Sequence, residues 1–257
     1  MWSAIDIELR GTDMSLSHEQ LAFFEANGYV VVRDLLPPDV LSRVRDAITA
    51  AEAEVQTGKA KHQALPEPDA AGADVATKTP LRKLNALVPH SEFFHSVAAN
   101  LSIMDIVAQL TDNPTSIMLY SDQVFLKPAF CGSAKPLHQD NSYFRVTPHD
   151  HGVTCWIAID EATEENGCMR YIPGSHKLGL LPHRQISAAH LTPEASDLGR
   201  EVAVPIPAGA AIFHHLLALH SSQANRSDKP RRAWALHYAN RDSESPMRSW
   251  DEMIRMR

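Results

Sequence analysis

The chain has 257 residues, 44% of them hydrophobic and 21% charged, enough apolar material for a substantial buried core. With 31 acidic against 24 basic residues and a net charge of −7, it has no overall basic field of the kind that holds a phosphate backbone, so a nucleic-acid partner is not expected. Cys131, Cys155 and Cys168 lack C-x-x-C spacing, which argues against a disulfide framework or zinc knuckle and for a reducing, cytoplasmic location.

Met1 to Arg10 carries Asp6 and Glu8 and no apolar segment, so no signal peptide is expected there. No uncharged run reaches the roughly 18 apolar residues that a membrane span requires. Ser17-His18-Glu19-Gln20 is a capping box that opens a short helix, with Leu21 and Phe24 on one face and Asn27-Gly28 closing it. Tyr29 to Val32 then suits a buried strand. Pro37-Pro38 fit a loop and a helix's first turn, and Leu41, Val44, Ile48, Ala51 and Val55 follow at helical spacing.

From Thr57 to Pro80, Ala, Gly, Pro, Asp and Lys replace large apolar residues, which predicts a flexible surface loop, with an ordered active-site cover as the alternative. Helical pattern returns from Ser91 to Thr111, where Phe94, Val97, Leu101, Ile103, Ile106, Val107 and Leu110 suit one side of a sheet. Past Asn113-Pro114 short apolar runs dominate: 116–126, 152–159, 168–172, 201–206, 210–214 and 232–238 are strand-like, with Asn166-Gly167, Pro173-Gly174 and Pro207-Ala208-Gly209 as turns. The expected architecture is mainly β with flanking helices, a sandwich or barrel buttressed on one face. We read 1–257 as a single domain, with a mostly helical buttress and linker loop over 1–113, a β core over 114–240 and a C-terminal tail over 241–257.

Chemistry concentrates at Pro136-Leu137-His138-Gln139-Asp140-Asn141. A histidine and a carboxylate one residue apart point the same way on an extended chain and can grip one metal ion. A third ligand is expected far along the chain, among His214, His215 and His220; of the adjacent pair His214 and His215, at most one faces a pocket. His149-Asp150-His151, after a proline, reads as a surface turn, and the glutamates of 161–165 as a solvated loop.

Taken together, His138-x-Asp140, His220 and Arg231 eleven residues later resemble the iron(II)/2-oxoglutarate dioxygenases, specifically the phytanoyl-CoA dioxygenase family. Lys127-Pro128, Trp156, Asn166-Gly167-Cys168, Ile172 to Lys177, Leu219 to Ser222 and Asn225-Arg226-Ser227 extend the resemblance over about Ser116 to Asn240, and Gly28 to Val31 is similar to the family's opening. The resemblance implies a double-stranded β-helix, a cupin-like jelly roll. It also implies iron(II) on His138, Asp140 and His220, with 2-oxoglutarate and dioxygen as co-substrates. Two histidines and one carboxylate on one face leave three adjacent positions open for them. The far carboxylate of 2-oxoglutarate needs a buried cation, which the planar fork of Arg231 offers; Arg232 is its rival, and alternation admits only one of the two. Ser222, two residues after His220, points to the same side as a hydroxyl donor. The family comparison adds Gln139 and Trp156 as further co-substrate contacts.

Related halogenases carry a small residue where Asp140 stands, so the carboxylate implies hydroxylation, or desaturation by the same hydrogen abstraction, with release of succinate and carbon dioxide. Asn141, Tyr143, Lys127 and Arg145 are candidate contacts to a small-molecule substrate. The alternative reading is a cupin-like metal-binding or sensor protein that performs no oxygenation, for which an arginine clamp would be superfluous. The 57–80 loop and the 183–199 segment are expected to be the more mobile parts.

Overall fold

The computed structural model describes residues 15–67, 80–112, 115–187 and 190–257. The expectations for 1–10, and for 68–79 within the predicted loop, lie outside them. Helix α1 (His18–Asn27) is capped as its sequence requires: Ser17 Oγ accepts from the Gln20 amide at 3.2 Å, and Gln20 Oε1 accepts from the Ser17 amide at 3.0 Å. Gly28 closes it in the left-handed conformation, at φ 81°, and β1 (Tyr29–Val32) follows. Helix α2 (Pro38–Gln56) buries Val40, Leu41, Val44, Ile48 and Ala51 on one face.

In the N-terminal part, two stretches differ from the expectations. The stretch read as loop contains β2 (Gln63–Pro66), which pairs antiparallel with β3 (Leu81–Asn85). Neither has the β-branched content that marks a strand; they are extended because β3 adds to the edge of a longer neighbour. The helical run of 91–111 is two helices, α3 (Glu92–Ala98) and α4 (Leu101–Leu110), bent by 47°. Asn100 causes the break, because its side chain accepts from the Ser102 amide at 2.9 Å and restarts the helix. Among the described residues no single helix is long and apolar enough to cross a membrane.

The remaining elements are β4 (Ile117–Lys127), β5 (Lys135–His138), the single turn α5 (Asn141–Phe144), β6 (Gly152–Ala158), β7 (Met169–Tyr171), β8 (His183–Ser187), β9 (His190–Pro193), β10 (Val202–Val204), β11 (Ala211–His215), β12 (His220–Ser222), β13 (Arg231–Asn240) and β14 (Ile254–Arg255). The major sheet runs β1-β11-β6-β13-β4-β3-β2, with β14 also on β4; the minor sheet runs β10-β7-β12-β5; β8 and β9 form a separate hairpin. The pairings are antiparallel throughout, the arrangement of a jelly roll. The N-terminal third is more than a buttress, since it contributes β1, β2 and β3 to the major sheet.

Period-two alternation sorts the major sheet into two faces. Trp234, Leu236 and Tyr238 of β13, Val153, Cys155 and Ile157 of β6 and Phe213 of β11 join the helices in one core. Burying each of the larger side chains stabilises the fold by about 1.5–3 kcal/mol, so this layer holds the frame. The opposite face looks into the space between the sheets, where Ala233 and Ala235 alternate with the large residues facing the helices. Small side chains there leave room for a cavity.

Candidate metal centre and co-substrate pocket

Strands β5 and β12 pair so that His138 lies opposite His220, with ring centroids 4.2 Å apart. Asp140 arrives by a different route from the one expected. The extended chain ends at His138, and Asp140 has helical backbone angles (φ −57°, ψ −37°) at the start of α5. The turn, rather than strand alternation, brings its carboxylate back: Oδ1 lies 3.5 Å from His138 Nε2 and 3.6 Å from His220 Nε2. One ligand atom from each residue lies within 4.8 Å of the others, and all three side chains are buried.

The hydrogen-bond network orients these ligands. His138 Nδ1 lies 2.8 Å from the Pro136 carbonyl and His220 Nδ1 2.9 Å from the Ala218 carbonyl. A carbonyl only accepts, so both Nδ1 atoms carry the proton and both Nε2 lone pairs face the centre. Burial pushes both imidazoles below their ordinary pKa, well below for His220, which keeps them neutral and able to ligate.

Asp140 is held from behind. Its Oδ2 accepts from Thr154 Oγ1 at 2.7 Å and from His214 Nε2 at 3.0 Å. His214 therefore takes its other bond through Nδ1, accepting from Tyr171 Oη at 2.9 Å. Thr154, having donated to Asp140, accepts from His237 Nδ1 at 2.9 Å. His214, Thr154 and His237 are one row across β11, β6 and β13. Burial works against the charge on Asp140, but the hydrogen bond from His214 favours the charged form, and the carboxyl lies well below its ordinary range. With Oδ2 saturated, Oδ1 is the oxygen presented to a metal.

The triad, Thr154, His214 and His237 line a cavity of 510 Å³ that also reaches Arg231, Ser222 and Trp156. Arg231 is 1% exposed, and its guanidinium lies 5.3 Å over the Trp156 ring. Its Nε and Nη1 have no hydrogen-bond partner. Burial depresses its pKa to about 10, which leaves it charged near neutrality. Across the ladder, Lys127 donates to the carbonyls of Ser133 at 2.5 Å and Gln223 at 2.7 Å, and burial with Arg231 nearby pushes it to about 6. Arg231 is thus a buried cation with two unpartnered donors. Arg232 faces the other way and forms a two-bond pair with Asp160, Nε to Oδ2 at 2.8 Å and Nη2 to Oδ1 at 2.9 Å.

Three predicted contacts fall elsewhere. Gln139 is buried but does not line the cavity: its amide donates to the Gly179 and Leu217 carbonyls and accepts from the Leu181 amide, pinning the loop before β8. Asn141, also outside the cavity, bonds both ways with Val146 and contacts His149 Nδ1 at 2.9 Å, which ties the surface turn expected at 149–151 to α5. Arg145 is exposed and does not line the cavity. Tyr143 and Lys127 do line it. His215 points away, towards Phe24 and His176.

Thr154 and His237 were not anticipated, and His214 was weighed only as a ligand. Alternation does mark two of them, since Thr154 shares a face with Trp156, and His237 shares one with Arg231, Ala233 and Ala235. Nothing local marks the β8–β9 hairpin, in the stretch expected to be mobile, as a cavity wall; Gln185, Ser187, His190 and Leu191 of that hairpin form one side.

A buried facial set of two neutral imidazoles and one backed carboxylate, opening on a cavity with an unpaired arginine inside a jelly roll, defines the class of non-haem iron, 2-oxoglutarate-dependent oxygenases. The phytanoyl-CoA dioxygenase family profile matches residues 24–233, and the chain belongs to that family. A probable phytanoyl-CoA dioxygenase of Caenorhabditis elegans is 30% identical over 241 residues, 88% of this chain and 76% of that protein. Animal proteins named phytanoyl-CoA dioxygenase domain-containing protein 1 are matched over about half of their own length. Among solved structures, the non-haem monooxygenase ThoJ superposes with a TM-score of 0.70 at 25% identity, over 92% of this chain and 82% of that one. The α-ketoglutarate-dependent carbocyclase SnoK of nogalamycin biosynthesis gives 0.69 at 24%, over 94% and 90%. This chain is an iron- and 2-oxoglutarate-dependent enzyme with the family's fold.

Proposed function

We propose that the enzyme hydroxylates an unactivated carbon of a small organic molecule, consuming 2-oxoglutarate and dioxygen and releasing succinate and carbon dioxide. The observation that carries this reading is Arg231: a buried guanidinium with two unpartnered N–H donors, in the same cavity as the ligand triad, is a socket for the far carboxylate of 2-oxoglutarate. A metal-binding protein without oxygenase activity has no use for that charge, which is costly to bury.

His138, His220 and Asp140 Oδ1 would hold iron(II). Bound there with 2-oxoglutarate and dioxygen, it supplies the oxidant that removes hydrogen from the substrate carbon. The protein's own part is positional. Pro136 and Ala218 fix the imidazole rings, while Thr154 and His214 hold the carboxylate so that one oxygen faces inward. Trp156, beneath the Arg231 guanidinium, would wall the co-substrate site, and Ser222 lines the same cavity with a hydroxyl. The β8–β9 hairpin, β3 and Leu65 of β2 wall the cavity in which the substrate carbon would lie. Asp140 favours hydroxylation over halogenation, because its carboxylate fills the position that a halide would need.

The test is anaerobic addition of iron(II) and 2-oxoglutarate, followed by the visible charge-transfer band of the chelate. The band is expected in the wild type and lost in His138→Ala and Arg231→Ala; its absence from folded wild-type protein, or its survival in both variants, refutes the reading. With a turned-over substrate, one atom of labelled dioxygen is expected in the product hydroxyl.

A further inference from the structure

The turn that brings Asp140 to the metal centre cannot hold itself. Helix α5 is four residues long, and a helix so short makes too few hydrogen bonds to offset the order it needs. The Tyr143 and Phe144 amides donate to the Asp140 carbonyl at 2.9 and 3.3 Å, and the Arg145 amide donates to the Asn141 carbonyl at 3.1 Å. The carbonyl at the end of the turn, that of Phe144, is left to partners outside it.

The stretch after β13, expected to be a tail, supplies them. Ser245 Oγ donates to the Phe144 carbonyl at 2.6 Å. Tyr120 Oη of β4 reaches the same oxygen at 3.3 Å and lies 3.2 Å from Ser245 Oγ. Just beyond α5, Thr147 and Glu244 exchange both backbone hydrogen bonds, at 2.9 and 2.8 Å. Arg248 donates to the carbonyls of Tyr120 and Glu252, which fastens the stretch to β4. Met253 joins Tyr120, Val146 and Leu216 in a small apolar core of their own, against which Phe144 and Trp250 pack.

From the other side, the Asn141 amide donates to the Leu216 carbonyl at 2.9 Å, so α5 is gripped between two distant parts of the chain. Neither Ser245 nor Tyr120 lines the cavity, but Phe144 does, and its ring meets that of His237 edge-on at 4.7 Å. The grip therefore sets a ligand and a stretch of cavity wall together.

We propose that the segment 243–253 is a clasp for the metal centre, with Ser245 and Tyr120 as positioning residues: by holding the Phe144 carbonyl they keep α5 wound and the Asp140 carboxylate facing His138 and His220. This rests on reading the triad as a metal site. The major sheet has its own ladder and apolar core, so loosening the clasp costs metal affinity before it costs the fold. With the Phe144 carbonyl unpartnered, the wound turn is one arrangement among several, and apparent affinity falls by the fraction that stays wound.

The test compares Tyr120→Phe/Ser245→Ala with wild type. In the metal-free proteins, amide hydrogen exchange is expected to quicken at 140–147 in the variant while β6 and β13 keep wild-type rates. Iron(II) binding, read anaerobically by chelator competition, is expected to weaken about tenfold, the loss of roughly one hydrogen bond's worth of hold on the turn. Ser245→Thr keeps the hydroxyl and is expected to match wild type. So is Arg257→Gln, which breaks a 2.7 Å pair with Asp105 at the far end of the same stretch without touching α5.

Wild-type protein that takes up no iron(II) rejects the metal reading, and the clasp's role with it. Where wild type does bind, the clasp alone is overturned by equal affinity in the double variant or by unchanged exchange at 140–147. Exchange that rises equally in β6 and β13, or an equal loss of affinity in Ser245→Thr or Arg257→Gln, would overturn it as well.

Discussion

Replacing Arg231 with methionine should stabilise the protein without co-substrate and cripple it with co-substrate, two effects of opposite sign from one buried charge. In the free protein, Nε and Nη1 are enclosed without acceptors. Each such donor costs about 1–3 kcal/mol. The contact with Trp156 at 5.3 Å offsets about 1–2 kcal/mol of that. Methionine fills much of the same volume and carries no donor, so the metal-free variant should gain about 1–3 kcal/mol, a rise in Tm of about 2–4 °C for each kcal/mol at this chain length. With 2-oxoglutarate the balance reverses. Losing a desolvated charge pair costs about 2–5 kcal/mol, or roughly 30-fold to several-thousand-fold in affinity. Thermal unfolding without ligand and anaerobic titration of the visible band measure the two effects. A variant that melts lower than wild type and binds 2-oxoglutarate equally well would refute the reasoning.

Thr154→Val removes one of the two donors to Asp140 Oδ2 and should weaken metal binding about 10–100-fold, measured by chelator competition, with the melting temperature little changed. His237 is buried, and burial pushes it to about 4. It stays neutral in the fold while the unfolded chain protonates near 6.5, so the folded state binds fewer protons and loses stability as pH falls from 6.5 to 4, by at most about 3 kcal/mol. Denaturant melts of metal-free His237→Gln at pH 7 and 4.5 should show a smaller acid loss than wild type; an identical loss contradicts the assignment. Arg232→Gln breaks the pair with Asp160, which keeps a 3.3 Å contact to Arg45, and should cost about 1 kcal/mol of stability with no change in the 2-oxoglutarate titration. A loss of 2-oxoglutarate affinity in that variant would mean the two arginines have been exchanged.

Much of the frame was legible because it rests on local chemistry. The Ser17 capping box, the Gly28 helix stop and the apolar stripe of α2 are short-range patterns that fold as written. Strands β4, β6, β7, β10, β11 and β13 announced themselves by composition, and β13 even by the alternation that separates Arg231 from Arg232. Strands β2 and β3 did not, because their extended form comes from hydrogen bonding to the sheet rather than from their own residues.

For the site, the sequence by itself supplied the candidate ligands His138 and Asp140 and, through the family resemblance, His220, together with two arginines, one of which alternation sends inward. Only the tertiary structure decided how Asp140 returns to the centre, through a helical turn, and which oxygen it presents. It also decided that Gln139 and Asn141, beside the ligands in sequence, spend their amides on neighbouring loops instead of the cavity. His214, Thr154 and His237 come from three strands far apart in the chain and meet only because those strands are neighbours in one sheet. Arg82, Lys83 and Lys135 line the same cavity from β3 and β5, short strands of different sheets that no periodicity marks. Residue type and alternation are local properties that a sequence carries; hydrogen-bond partners and the grouping of charges depend on register between distant strands, which packing alone sets.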